Sequence, residues 1–136
     1  MDILLSIHKE YADKIFSGEK KLELRKSFPK KQLIQSTVYL YETKSKGGAG
    51  AIVGEFKCNK CLVHNDEDGI LLSEGGCITH EQLSKYIGEG KIIYGWIIKN
   101  PIRYNTPIPI IGRPPQSWRY IESSEVEFYM ESAGMK

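Results

Sequence analysis

The sequence predicts an α+β protein, mainly β, with five or six short strands and two flanking helices in a small, strongly bent barrel. Three observations predict it. Short runs rich in β-branched and aromatic residues recur along the chain. Only two segments carry a helical repeat of apolar residues. Strands and helices do not alternate regularly, which argues against a parallel βαβ sheet.

The elements follow in order. "ILLSI", Ile3 to Ile7, reads as a buried strand. "HKEYADKIFSG" reads as the first helix, because Tyr11, Ala12, Ile15 and Phe16 form one apolar stripe and Gly18 is placed to cap its C-terminus. "KKLELRKSF" alternates, with Leu22 and Leu24 on one face and Glu23 and Arg25 on the other. "STVYLYET" is a further strand. "KSKGGAG" is a turn, and "AIVGEFKC" is a strand whose Gly54 signals a bulge or a close backbone approach.

"NDEDG", residues 65–69, marks a loop. "ITHEQLSKYIGEG" reads as the second helix, with Thr79 as N-cap, Leu83 and Ile87 on one face, and Gly88 or Gly90 as its end. "KIIYGWIIKN" is a strongly apolar, central strand. The five prolines of "PIRYNTPIPIIGRPPQSW" confine that stretch to an edge or a wrapping segment. "SWRYI" reads as a last short strand. Residues 122–136 form an acidic tail, either a strand at "VEFYM" or a frayed end.

A chain of 136 residues is one ordinary domain, and 40% hydrophobic with 26% charged residues is the composition of a soluble globular protein. Its longest apolar stretch, near Ile92 to Ile98, is too short for a membrane span. The N-terminal apolar run is too short for a secretory signal, so a cytoplasmic protein is expected. Three cysteines without a secretory context argue against a disulfide framework.

Net charge is +2, unevenly spread. Residues 1–48 hold ten Lys/Arg against six Asp/Glu, and residues 122–136 hold one against four. The basic front end is either a polyanion-attracting face or a solvated lysine-rich surface.

"ILLSIHKEYADKIFSGEKKLELRK" resembles the opening of the ASCH domains, a branch of the PUA-like superfamily. Their signature, G-x-K-x-x-E-x-R, is matched by Gly18, Lys20, Glu23 and Arg25. "VGEFKC", "CITHEQLSKYIGEGKIIYGWII" and "PPQSWRYI" look like later segments of phage and bacterial ASCH-like proteins, so the resemblance spans residues 2–121. It implies a PUA-like β-barrel with a ligand cleft beside the first helix, and RNA or a nucleoside as partner. It also implies an alternative, enzyme action. One small ASCH protein removes the acetyl group of N4-acetylcytidine, and another branch cleaves RNA. The amidohydrolase's lysine falls on Lys20, its threonine nucleophile on Glu23, and its glutamate near Glu74. Glu23 cannot serve as a threonine does.

Two residue sets carry the chemistry. A carboxylate beside a guanidinium stays ionised and fixes the arginine's fork, so Glu23 and Arg25 can hold a base or a phosphate. Lys20, if desolvated, becomes a candidate base or nucleophile activator beside Glu23. The dull alternative is a surface ion pair worth under about 1 kcal/mol. In "RPPQSWRYI", Gln116 and Ser117 can read base edges, Trp118 can stack a base, and Arg113 and Arg119 can take phosphates. Trp118 can equally be a core anchor.

Cys58, Cys61, Cys77 and His80 have the spacing C-x2-C-x15-C-x2-H, with His64 as a spare ligand, which would suit a zinc-stapled protein-interaction module. Free buried cysteines are the favoured alternative, and no metal or cofactor is expected.

Overall fold

The computed structural model of the chain describes residues 1–30, 36–64, 74–77, 79–87 and 92–135. The class is α+β, mainly β. Among the described residues, eight strands form two sheets: β1 (Asp2–Ile7), β2 (Leu22–Arg25), β3 (Ser36–Glu42), β4 (Ala51–Cys58), β5 (Cys61–His64), β6 (Ile93–Ile97), β7 (Lys99–Ile108) and β8 (Trp118–Ile121). The larger sheet runs β7-β4-β3-β1-β8 and the smaller runs β2-β6-β5. Among the described residues these sheets are not joined into a closed barrel, which corrects the expected shape: pairing ends at β7 and β8 in the larger sheet and at β2 and β5 in the smaller. β1 and β3 pair in parallel and every other ladder is antiparallel.

The large sheet is covered on both faces, and β1 shows why. Ile3, Leu5 and Ile7 enter one core with Val38, Leu40, Phe56 and Trp96. Leu4, on the opposite face, enters another with Tyr41, Ile52, Ile108 and Ile121. An unbroken apolar strand is what two-sided burial requires. Helix α1 (Lys9–Ser17) closes the first face through Ala12 and Ile15, and Gly18 ends it in the left-handed region (φ 85°) with its N–H on the Ile15 carbonyl.

Gly54 has both roles expected of it. The β4–β7 register shifts beside it, and a Cβ there would lie 2.3 Å from the Ile102 carbonyl and 2.5 Å from the Phe16 ring. β6 is the middle strand of the small sheet, and β7 is an edge strand that accommodates Pro101 and Pro107. Helix α2 (His80–Ile87) opens on a capping box: Thr79 Oγ1 accepts from Gln82 N–H and Gln82 Oε1 accepts from Thr79 N–H. The loop at 65–69 and the glycines at 88 and 90 lie outside the described residues.

The acidic tail is neither strand nor frayed. Ser123–Ser132 is a helix, α3, that buries Val126 and Tyr129 on the second core. Among the described residues, no helix is long and apolar enough to cross a membrane.

Candidate ligand cleft

β2 alternates as its sequence requires. Leu22 and Leu24 pack with Leu83 and Ile93, while Glu23 and Arg25 take the other face. The leucine face also receives the segment carrying Gly75 and Gly76. A Cβ at either glycine would fall 2.5–2.7 Å from a leucine methyl, so a larger residue there must push the leucine or the backbone aside. The approach puts the Gly75 carbonyl on Lys21 N–H at 2.8 Å and the Gly76 carbonyl on Lys20 Nζ at 2.7 Å.

The charged face is therefore no solvated surface. Lys20 is 4% exposed and Glu23 5%. Burial pushes the Lys20 ammonium below its ordinary pKa, and the Glu23 carboxylate opposes that shift. Lys20 Nζ stands 3.5 Å from Glu23 Oε1 and 5.3 Å from the centre of the Tyr11 ring. At that separation the ammonium attracts Oε1 without completing a hydrogen bond. Glu23 Oε1 remains a buried acceptor with no hydrogen-bond partner among the described residues.

Arg25 is fixed by three bonds: Nε to Glu23 Oε2 at 2.7 Å, Nη2 to the Ser6 carbonyl at 2.7 Å, and Nη1 to Ser117 Oγ at 3.1 Å. Ser117 is held in turn by the end of β1, since Ser6 N–H donates to the Ser117 carbonyl and Ser6 Oγ to the Pro115 carbonyl. A cleft of about 300 Å³ opens here, lined by Glu23, Arg25 and Gln116 with Ser6, His8, Tyr11 and Thr43. His8 Nδ1 lies 3.2 Å from Thr43 Oγ1 and 3.1 Å from Ser45 Oγ.

The sequence-predicted residues thus divide. Glu23, Arg25 and Gln116 wall the cleft, Ser117 braces Arg25, and Lys20 lies buried behind Glu23. Trp118 is a packing residue. Its indole N–H donates to Ser27 Oγ, and its ring meets Trp96 and Tyr120 edge-on. Arg119 is turned to the C-terminal helix, donating to the Glu125 carboxylate and the Tyr129 hydroxyl. Glu74 is exposed on the segment that carries the two glycines. Ser6, His8, Tyr11 and Thr43 escape sequence reasoning. His8 and Tyr11 stand at the start of α1, where their spacing reads equally well as helix packing.

Cys58 is buried on β4, its thiol pushed up to about 11 by burial and its Sγ donating to the Lys60 carbonyl. The side chains of His64 and His80 lie outside the described residues. Among the described residues, no three His, Cys, Asp or Glu side chains gather into a metal-ligating group.

The ASCH domain model matches residues 5–108 of the chain. None of the curated proteins matches it. Among solved structures, the chain is similar to the crystal structure of ASCH from Zymomonas mobilis, at 19% identity and a TM-score of 0.76, covering 96% of this chain and 94% of that one. A serine-to-alanine mutant of the same Zymomonas mobilis protein aligns at 16% identity with a TM-score of 0.78, covering 96% and 95%. At such identities the likeness concerns the fold. The matched family model covers most of the chain, including Lys20 and the strand β2 that bears Glu23 and Arg25, and on that ground the protein belongs to the ASCH domain family.

Proposed function

We propose that this chain binds RNA, through one of its nucleobases, or a free modified nucleoside, in the cleft walled by Glu23, Arg25 and Gln116. The fixed guanidinium carries the reading. Arginine has five N–H donors, and the three bonds above orient Arg25 while leaving donors for a phosphate or a base edge in the cleft that it lines. The Tyr11 ring offers a stacking face and the exposed Gln116 amide a base-edge reader. RNA binding is also what the likeness to PUA-like domains implies, and a cytoplasmic setting accords with it.

Titration of the purified chain with single-stranded RNA, single-stranded DNA, cytidine and N4-acetylcytidine at two salt concentrations tests this reading. Saturable binding that prefers one nucleoside and is lost in Arg25→Ala and weakened in Gln116→Ala is the expected result. Binding that fades with salt and ignores both variants would leave only a basic surface.

A second reading, an enzyme acting on nucleosides or RNA, draws on Lys20. Its burial favours the neutral amine, and Glu23 beside it can exchange a proton. Turnover of N4-acetylcytidine or of labelled RNA that is abolished in Lys20→Ala would establish it. The zinc-stapled module remains a third proposal, checked by the metal content of the purified chain.

A further inference from the structure

On the face of the large sheet away from α1, the C-terminal helix α3 leaves a second cavity of about 350 Å³. Its lining joins three kinds of group: the phenols Tyr39 and Tyr104, the carboxylates Glu55 and Glu127, and the thioethers Met130 and Met135. Tyr104 Oη donates to Glu55 Oε1 at 2.8 Å, which holds that carboxylate in the wall. Lys57 Nζ lies 3.2 Å from the other oxygen, Oε2. Exposed Thr106 and Glu127 stand at the rim. This volume is at the small end of ligand sites.

We propose that this cavity binds a small organic cation with an alkylammonium head, the positive charge resting between Glu55 and Glu127 and the alkyl groups against the two tyrosines and two methionines. An aromatic face attracts a cation through its quadrupole, and thioether sulfur is soft and adaptable. An anion would meet two carboxylates. A neutral ligand would use the apolar walls and ignore the charge. Burial first, and then the charges of Asp2, Glu55 and Glu127, pushes the Tyr39 phenol up to about 12. Tyr104 is raised too, by burial and then by Glu55. Two shifted phenols in one cavity are what a ligand site tends to show. The helix that completes it lies beyond residue 108, outside the stretch matched by the ASCH model. The cavity and the cleft share no lining residue, so this site stands or falls apart from the nucleobase reading.

The test is an NMR titration of the full chain, reading the Met130 and Met135 methyl signals. The probes are choline, n-butylammonium and the neutral 3,3-dimethylbutan-1-ol. Saturable shifts with at least one of the two cations, about tenfold tighter than with the neutral alcohol, are expected. Glu55→Gln should abolish the preference. Glu127→Gln, on the exposed helix face where folding is not at risk, should weaken it, while Arg25→Ala leaves it unchanged. No saturable shift with either cation, or equal binding of the alcohol, would overturn the proposal.

Discussion

Two lysine–glutamate pairs in this protein have nearly the same separation and opposite surroundings. Lys20 and Glu23 stand 3.5 Å apart with side chains 4% and 6% exposed. Lys85 and Glu81, on α2, stand 3.7 Å apart with side chains 79% and 82% exposed. In water the second pair gains little, because solvent screens it and each long side chain loses freedom to hold the contact. In the wall of the cleft the first pair has surrendered its hydration, and each charge depends on the other and on Arg25. Sequence spacing is three residues in one case and four in the other. What separates them is a glycine pair, Gly75 and Gly76, that brings backbone over Lys20.

The contrast can be broken most severely at its centre. Glu23→Ala removes the shared anion, leaving a buried ammonium without its counter-ion and Arg25 with only its bonds to the Ser6 carbonyl and Ser117 Oγ. A loss of about 3–5 kcal/mol is expected, read from urea unfolding. Gly76→Ala should follow at about 1–3 kcal/mol, because its methyl meets Leu24 and must displace either the leucine or the backbone bonded to Lys20. The same measurement checks it.

A pH comparison sharpens the point. Burial lowers the Lys20 pKa below its ordinary value of 10.5, so between its folded value and 10.5 the unfolded chain binds more protons than the folded one. The destabilising effect of burying the ammonium is complete below the folded pKa and is relieved as pH rises toward 10.5. The wild-type chain should therefore gain stability relative to Lys20→Met as pH rises toward 10.5. The difference between the two urea midpoints isolates this effect from the tyrosines, which titrate in both chains.

On the exposed side the effects shrink. Thr79→Ala removes the capping hydroxyl of α2 and should lose about 1 kcal/mol. Glu81→Gln, which removes the exposed pair itself, should lose no more than about 0.5 kcal/mol. Thermal unfolding of both variants would show whether the cap outweighs the ion pair.

Much of the fold is legible in the sequence because local pattern and tertiary outcome agree. The Leu22–Glu23–Leu24–Arg25 alternation survives as a two-faced strand, and Gly54 sits where the Ile102 carbonyl and the Phe16 ring leave no room for a Cβ. "VEFYM" misleads because it satisfies two periods. Val126 and Phe128 alternate as in a strand, while Val126 and Tyr129 recur as in a helix. The helix prevails, burying Val126 and Tyr129 on the second core and leaving Phe128 56% exposed. The closed barrel is an expectation about hydrogen bonds between distant strands, which no local pattern encodes. The burial of Lys20 is hidden for the same reason: its acceptor lies 56 residues further along the chain. Trp118 and Arg119 carry side-chain chemistry suited to nucleic acid, but packing against Trp96 and attachment to α3 assign them to the framework.

The ladder between β1 and β8 joins Asp2 to Ile121, so β1 waits for a strand that is synthesised long after it. During synthesis β1 can pair with β3 early, yet its second edge stays open until residues 118–121 emerge. Ser117, which braces Arg25, arrives in the same late stretch. A nascent chain can therefore hold much of its apolar core while the cleft is still unbuilt, and Arg25 gains its Ser117 brace only after the strands around it have formed.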